Sequence, residues 1–263
     1  MIDPTGGRRD GKTKAMSVST EQKRKEGGFA ETVRVVIHAL LIAFVIRTFL
    51  FQPFNIPSGS MRDTLLIGDY LFVSKYSYGY SHFSFPFSPP LFSGRILGRD
   101  PQRGDVVVFR LPRDDSTDYI KRVIGLPGDK IQVREGLLYI NGEPVKRERL
   151  ADFRDDETAG AFAKRWRETL PNGVSYETRD LTDTGFLDNT KVFEVPAGHY
   201  FMMGDNRDNS QDSRTSQVGY VPFENLVGKA QIIFFSVKDG DPAWQFWMWP
   251  WSVRWDRLLT IVR

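Results

Sequence analysis

The most apolar part of the chain lies near its N-terminus, at residues 33–51, a stretch of 19 residues. As an α-helix it would be about 28 Å long, close to the roughly 30 Å hydrocarbon core of a bilayer. Arg34 and Arg47 lie near its two ends, where long side chains can extend to the headgroups, so only His38 is placed unfavourably. The pattern predicts one transmembrane helix over residues 31–51. A buried or interfacial helix of a soluble protein is the alternative.

The residues before this stretch are polar and basic. Residues 1–28 show no apolar periodicity, and seven lysines and arginines against four acids precede Gly27. We interpret 1–28 as a flexible basic tail. The positive-inside rule places it in the cytoplasm, which predicts a single-pass protein of the inner (plasma) membrane with the rest of the chain outside the cytoplasm. In a Gram-negative cell that compartment is the periplasm. A cleaved signal peptide is disfavoured, because the apolar stretch is long and residues 51–54 lack small side chains for cleavage.

After the predicted anchor, the apolar positions follow a β pattern. Short runs rich in branched and aromatic residues predict a mainly β domain over residues 52–263. The predicted strands are 70–73, 105–109, 131–133, 137–140, 192–195, 200–203 and 231–237. Asn141-Gly142 predicts a hairpin with a type I′ turn. Two segments interrupt the series, the aromatic loop 77–99 and the charged segment 146–188, which we interpret as an inserted smaller subdomain.

Composition narrows the chemistry. The chain has 263 residues, 40% of them apolar, and its net charge of +3 is too small to indicate a nucleic-acid partner. The absence of cysteine excludes disulfides, thiolate zinc sites and a cysteine nucleophile. Residues 6–13 fit the phosphate-loop pattern letter for letter. No buried strand is predicted before them and no apolar helix after them, so we expect no nucleotide.

Three polar elements carry candidate chemistry. Ser58 and Ser60 flank a glycine soon after the predicted anchor, and a turn there could bring a hydroxyl and a backbone N–H to one oxyanion. Lys121 lies within an alternating apolar stretch, and residues 204–214 form a dense polar loop. A calcium loop is excluded, because Arg207 stands where the third ligand would be. Taken singly, a turn serine and a surface lysine are the commoner interpretations.

Together and in this order, the elements resemble the type I signal peptidases, bacterial leader peptidases that use a serine and a lysine. The similarity runs from about residue 51 to residue 237. The motifs that carry it are Pro57-Ser58-Gly59-Ser60-Met61, residues 66–73, residues 103–109, Tyr119-Ile120-Lys121-Arg122 and residues 204–214. The resemblance implies a signal-peptidase-like antiparallel β-sheet catalytic domain. It also implies a membrane-bound serine endopeptidase that removes N-terminal signal peptides from exported preproteins.

The resemblance assigns roles to individual residues. Ser60 would be the nucleophile and Lys121 its general base, working through an acyl-enzyme. The Ser58 hydroxyl and the Ser60 backbone N–H would form the oxyanion hole, and the Ser210 hydroxyl would hold the lysine amine. Asp212 would support the dyad in an ion pair with Arg214.

Further positions match the family pattern with one departure. Asp205 corresponds to a structural carboxylate of the polar loop. Asp63 stands where many members have proline, and an aspartate there could cap a following turn. The positions that match the small apolar substrate pockets are Phe54, Ile56, Pro57, Met61, Leu65, Tyr119 and Ile120.

A lysine can act as a base near neutral pH only if its pKa falls. The free ammonium titrates at about 10.4, and reaching about 8 requires the charged form to be destabilised by roughly 3 kcal/mol. Burial can supply this. A strand would place Lys121 on one face with Tyr119 and would place Ile120 and Arg122 on the other. Such a dyad needs neither a metal ion nor a cofactor, and we expect none.

The resemblance also implies the partners. The substrate would be a preprotein signal peptide, cleaved after small residues in an Ala-x-Ala context and bound as an added extended strand. Five of the six tryptophans lie within residues 241–256, which we interpret as a membrane-proximal segment that contacts the lipid bilayer. Packing within the domain is the alternative for these tryptophans.

Other functions remain open at this stage. A peptidase dedicated to one substrate, such as a pilin, would use the same dyad. A membrane-anchored β-rich binding protein without catalysis would share the anchor and the strands. A self-cleaving repressor is disfavoured, because it would need a DNA-binding domain where this chain has the anchor.

Overall fold

The structure is a computed structural model that describes residues 1, 28–155, 161–182, 184–238 and 241–263. The predicted tail, residues 1–28, lies outside the described residues except at its two ends, and the phosphate-loop-like residues 6–13 lie wholly outside them. The chain divides into two units, Met1–Leu41 and Ile42–Arg263. The second unit holds every strand of the described chain.

The N-terminal helix α1 spans Gly28–Val45 and continues into a π-helical turn, Ile46–Leu50. By length and composition this 23-residue element can cross a membrane, and nearly all of its side chains are exposed. It ends one residue before the predicted boundary because Phe51 begins a strand. Pro53 follows closely, and a proline disfavours helical backbone at the residue before it.

The rest of the described chain is mainly β, as predicted. Its strands in chain order are β1 Phe51–Asn55, β2 Asp69–Ser74, β3 Val106–Arg110, β4 Asp118–Gly125, β5 Lys130–Arg134, β6 Leu137–Ile140, β7 Glu143–Pro144, β8 Lys146–Arg149, β9 Phe153–Asp155, β10 Ala161–Thr169, β11 Ser175–Asp180, β12 Phe193–Glu194, β13 His199–Met203, β14 Val221–Pro222, β15 Leu226–Ser236 and β16 Thr260–Ile261. Short helical turns lie at Gly59–Met61, His82–Ser84, Phe223–Asn225, Phe246–Met248, Trp249–Ser252 and Trp255–Arg257. Every predicted strand overlaps one of these strands.

The main sheet is antiparallel and positions the candidate chemistry. Its strand order is β1-β2-β15-β3-β4-β13-β14, with β16 also paired to β15. Lys121 of β4 lies opposite Val107 of β3. Leu71 and Val73 of β2 are fully buried in an apolar cluster with Met61, which follows the candidate nucleophile. The sheet therefore positions Lys121, and the apolar cluster positions the turn that contains Ser60, although the two residues are far apart in the sequence.

A second sheet has the order β12-β5-β6-β7. It contains the predicted hairpin, in which Ile140 pairs with Glu143. Asn141 and Gly142 have φ angles of 56° and 87°. Positive φ at both central positions is the requirement of a type I′ turn, so this prediction is confirmed.

The charged segment forms a sheet of its own, with the order β11-β10-β8 and β9 also paired to β10. We call it the inserted sheet, β8 to β11. None of these strands was predicted from the sequence, because charged residues such as Arg165, Arg167 and Glu177 interrupt the apolar alternation. The last residues of β11 return to the polar loop, where the Arg179 backbone N–H donates to the Asp205 carbonyl at 2.9 Å.

Candidate active site

Ser60 lies in a tight turn that is anchored in the core. We call residues 58–65 the nucleophile turn. Its 3-10 segment is Gly59–Met61, and the Leu65 N–H donates to the Met61 carbonyl at 2.7 Å. Both Met61 and Leu65 are fully buried, so the turn is fixed by apolar packing on the side away from the serine. Ser60 itself is 7% exposed.

Lys121 reaches Ser60 from β4. Its Nζ lies 2.6 Å from Ser60 Oγ and 2.8 Å from the Ile120 carbonyl oxygen. The side chain is only 3% exposed, and its Nζ lies 5.3 Å from the centre of the Tyr119 ring, on the face of the strand predicted for both residues. These distances bring together a hydroxyl and an amine that are 61 positions apart in the chain.

Burial gives the lysine the pKa that a base requires. Removal from water lowers the pKa of Lys121 from 10.5 to about 8, while the negative charges of Asp212 and Asp205 act in the opposite direction. The neutral amine is thus populated near pH 8, and it is the form that can accept the serine proton.

The polar loop 204–214 supplies a buried ion pair behind the lysine. Arg214 donates to both oxygens of Asp212, at 2.9 Å from Nε and 2.8 Å from Nη2, and the Gly204 backbone N–H donates to the same carboxylate at 3.0 Å. Although burial raises the pKa of the Asp212 carboxyl, Arg214 and Gly204 lower it more, so the net pKa lies below 3.8. Asp212 is therefore a stable negative charge, and it favours the protonated form of Lys121.

Ser210 is buried beside this pair, in space that Gly204 leaves open. A Cβ atom on Gly204 would lie 2.2 Å from Ser210 Oγ and 2.5 Å from the Ser60 carbonyl oxygen. Among the described residues, the Ser210 hydroxyl has no hydrogen-bond partner with good geometry. It is close enough to Asp212 to help lower the pKa of that carboxyl. The predicted hydrogen bond from Ser210 to Lys121 stays a prediction.

Ser58 stands at the exposed side of the site. Its backbone is extended, with φ −134° and ψ 152°, and it precedes the 3-10 segment that contains Ser60. Its Oγ lies 3.5 Å from Ser60 Oγ. The first N–H groups of a helical turn have no acceptor within the turn, so the Ser60 backbone N–H can donate to the oxygen of an incoming substrate. This arrangement fits the predicted oxyanion hole, which stays a prediction.

Two further residues, which were not predicted from the sequence, hold these elements together. Arg122 is fully buried and binds Asp205 through Nε at 2.8 Å and Nη2 at 2.7 Å. Asn206 donates to the nucleophile turn, from its backbone N–H to the Ser60 carbonyl at 3.1 Å and from its side chain to the Gly59 carbonyl at 3.0 Å. The available signal was an arginine within the alternating apolar stretch around Lys121, because an arginine that becomes buried there needs a carboxylate partner.

The predicted substrate-pocket residues occupy three kinds of position. One apolar cluster holds most of them, namely Phe54, Ile56, Met61, Leu65 and Ile120. Tyr119 packs in a separate cluster with Val107 and Phe109, and Pro57 is exposed. Within the first cluster Met61 and Leu65 lie beneath the surface, whereas Phe54 and Ile120 are partly exposed. Phe54 and Ile120 are therefore the better placed to contact a substrate.

Three carboxylates outside the dyad, those of Asp180, Asp188 and Asp208, have oxygen atoms within 4.8 Å of one another. Backbone N–H groups already donate to two of them, Gly185 to Asp188 at 2.5 Å and Leu181 to Asp208 at 2.7 Å. Acidic clusters of this kind also occur as structural features. The expected lack of a metal ion and of a cofactor stays a prediction.

Comparison with known proteins finds similarity over most of the chain. The family model for signal peptidases, peptidase S26, matches residues 29–235. Signal peptidase I of Rickettsia conorii is 47% identical over 224 residues, covering 82% of this chain and 80% of that protein. Signal peptidase I of Rickettsia typhi is 49% identical over 207 residues, covering 76% and 77%.

A crystal structure of a signal peptidase I from Enterococcus faecalis V583 matches 50% of this chain and 97% of its own, at 30% identity and a TM-score of 0.30. The family model and the two rickettsial relatives decide the assignment, because each covers well over half of the sequence. The chain therefore belongs to the signal peptidase family, peptidase S26, and is a serine peptidase.

Proposed function

We propose that the enzyme cleaves signal peptides with Ser60 as nucleophile and Lys121 as general base. The observation that carries the proposal is the 2.6 Å distance between Ser60 Oγ and the buried Lys121 Nζ. A hydroxyl that close to a neutral amine can transfer its proton as it attacks a carbonyl carbon. The geometry favours a dyad over a non-catalytic binding protein, because the buried lysine with a lowered pKa lies within hydrogen-bond distance of a serine hydroxyl.

The reaction then proceeds in two halves. Ser60 Oγ attacks the scissile carbonyl while Lys121 takes its proton, and the oxyanion receives hydrogen bonds from the Ser58 hydroxyl and the Ser60 backbone N–H. Lys121 returns the proton to the leaving amine, which produces an acyl-enzyme. A water molecule, deprotonated by the same amine, hydrolyses the ester and releases the signal peptide.

The substrate would be held as an extended strand. Among the described strands, β1 lies at one end of the main sheet and leads directly into the nucleophile turn. An edge strand offers unpaired backbone groups to a peptide, and Pro53 within β1 is tolerated because an edge strand need not donate every N–H. We expect the partly exposed Phe54 and Ile120 to contact small residues of the peptide. We therefore propose cleavage after Ala-x-Ala-type sites.

The membrane proposal rests on two exposed apolar surfaces. The helix from Gly28 to Leu50 would span the inner membrane, with the N-terminus in the cytoplasm and the catalytic domain in the periplasm. Five tryptophans of the 241–256 segment remain 37–69% exposed, which favours bilayer contact over packing within the domain.

The dyad is tested in detergent-solubilised full-length protein with a preprotein that carries an Ala-x-Ala site. Ser60→Ala and Lys121→Met should each lower the cleavage rate by ~10³-fold or more. Lys130→Met is the matched control, because Lys130 is 61% exposed in a surface ion pair with Glu194 and should leave the rate unchanged. Cleavage by either dyad variant at the wild-type rate would show that the assignment is wrong.

Specificity and topology have separate tests. Leucine in place of the alanine before the cleaved bond should slow cleavage by at least about 10-fold, and equal rates would contradict the small pocket. Because the chain has no cysteine, single cysteines report topology directly. In spheroplasts, a membrane-impermeant thiol reagent should label Glu143→Cys at once and Ser17→Cys only after permeabilisation. The opposite pattern would reverse the proposed orientation.

A further inference from the structure

Asp63 lies three residues after Ser60 in a left-handed backbone conformation, with φ of 80°. Few residues other than glycine, asparagine and aspartate adopt this region, and a proline, fixed at about −65°, is excluded from it. The Asp63 side chain is only 5% exposed. A buried carboxylate is stable only with strong partners, so the turn itself does not explain this residue.

The partners of Asp63 come from the inserted sheet. Arg179 of β11 contacts both carboxylate oxygens, at 3.2 Å from Nε and 3.0 Å from Nη2, and Arg165 Nε of β10 lies 3.3 Å away. Arg165 and Arg179 stand directly opposite each other across the two strands. Like charges in that position repel unless a carboxylate lies between them. Arg165 also pairs with Glu177 of β11, and Asp63 is the carboxylate that contacts both opposed arginines.

Strand β11, whose Arg179 binds Asp63, also binds the polar loop 204–214. The Arg179 backbone N–H donates to the Asp205 carbonyl at 2.9 Å, and the Arg179 carbonyl accepts from the Arg207 N–H at 2.9 Å. Asn206, between them, donates to the nucleophile turn at its start, as described above. Strand β11 thus supports the nucleophile turn at two places. It acts through Asn206, which donates to the Gly59 and Ser60 carbonyls, and through Asp63, three residues after the serine.

We propose that Asp63 is a positioning residue for the reaction, and that the inserted sheet braces the nucleophile turn through Arg179 and Arg165. The inference rests on the proposed dyad. Reacting groups must be held to within about 0.5 Å, and a displacement of about 1 Å costs on the order of 100-fold in rate. Because the brace contacts the turn of the nucleophile and not the edge strand β1, its loss lowers kcat and leaves KM unchanged.

The test replaces the charge while keeping the backbone. Asp63→Asn tolerates positive φ and keeps the shape of the side chain. We expect kcat per active site, with the folded fraction measured by tryptophan fluorescence, to fall about 10–100-fold with KM changed less than about 2-fold. Normalising to the folded fraction removes any loss of folded protein from the comparison. Asp152→Asn is the matched control, because Asp152 pairs with Arg149 at the surface, and it should leave kcat unchanged.

A double variant tests the coupling itself. Asp63→Asn combined with Arg179→Gln should be no slower than the slower single variant, because both substitutions remove the same contact. Multiplied losses in the double variant would contradict the brace. If Asp63→Asn does not fold, Arg165→Gln removes only one of the two arginine partners of Asp63. The Arg165 side chain is 27% exposed, and its replacement should lower kcat several-fold with KM unchanged.

The outcomes separate this inference from the dyad proposal. Wild-type kcat per active site in Asp63→Asn, alongside an inactive Ser60→Ala, would overturn the positioning role and leave the dyad standing. An active Ser60→Ala would overturn the dyad, and the positioning role with it. A purely structural Asp63 would reduce the folded fraction while kcat per active site stayed the same, which also counts against the inference.

Discussion

The proposed mechanism needs Lys121 as a buried base, and burial of its charge should destabilise the folded protein. Burial lowers the pKa of Lys121 from 10.5 to about 8, with Asp212 and Asp205 opposing the shift. At 1.36 kcal/mol for each pKa unit, holding the charged amine in the folded state costs about 3 kcal/mol. Below pH 8 both folded and unfolded chains bind the proton, so the full cost is present. Between about pH 8 and 10.5 only the unfolded chain binds it, so stability rises with pH across that window.

Lys121→Met removes the amine and keeps an unbranched side chain of similar size. At pH 7 the variant should gain about 3 kcal/mol and lose about 2 kcal/mol for the hydrogen bonds to Ser60 Oγ and to the Ile120 carbonyl. The net gain of about 1 kcal/mol corresponds to a rise in Tm of roughly 2–4 °C. Near pH 10.5 the cost of the charge is gone, and the variant should be less stable than the wild type by about 2 kcal/mol.

The measurement is denaturant unfolding of wild type and variant in detergent, followed by tryptophan fluorescence from pH 7 to pH 10.5. Lys75→Met is the control for burial without catalysis. Lys75 is 2% exposed, and burial, followed by the charge of Arg47, lowers its pKa to about 8. It should show the same change with pH while cleavage continues at the wild-type rate. A stability difference between wild type and Lys121→Met that stays constant across this pH range would refute the reasoning.

Three further predictions concern the same site. The kcat/KM of the wild type should rise with pH as Lys121 loses its proton, with its half-maximum near pH 8, and a profile that is flat from pH 6 to 10 would contradict a lysine base. Gly204→Ala should lower cleavage at least about 100-fold, since its Cβ would lie 2.5 Å from the Ser60 carbonyl oxygen; near-normal activity would show that the turn can move freely. Asp205→Asn should lower the free energy of unfolding by about 3–5 kcal/mol, because it leaves the buried Arg122 charge uncompensated, and a loss below about 1 kcal/mol in urea titration would contradict this.

Local pattern accounts for the elements that were predicted and for those that were missed. The spanning-length helix and the Asn141-Gly142 hairpin depend on apolar length and on φ preference, which neighbouring residues express by themselves. Strands β10 and β11 escaped prediction because their charged residues pair across the strands, as Arg165 does with Glu177, and that pairing is invisible along one strand. Strand β1 was missed because it continues the apolar stretch of the anchor.

The sequence by itself predicted a helix long enough to span a membrane, the mainly β class and, through the order of its motifs, Ser60 and Lys121 as the candidate dyad. Only the tertiary structure decided that Lys121 is the buried lysine within reach of that serine and that Asp63 faces two arginines. The reason is physical: the pKa of an amine and the stability of a carboxylate depend on exclusion of water and on charges within a few ångströms. Those charges come from residues such as Asp212 and Arg179, which lie about 90 or more positions away in the chain.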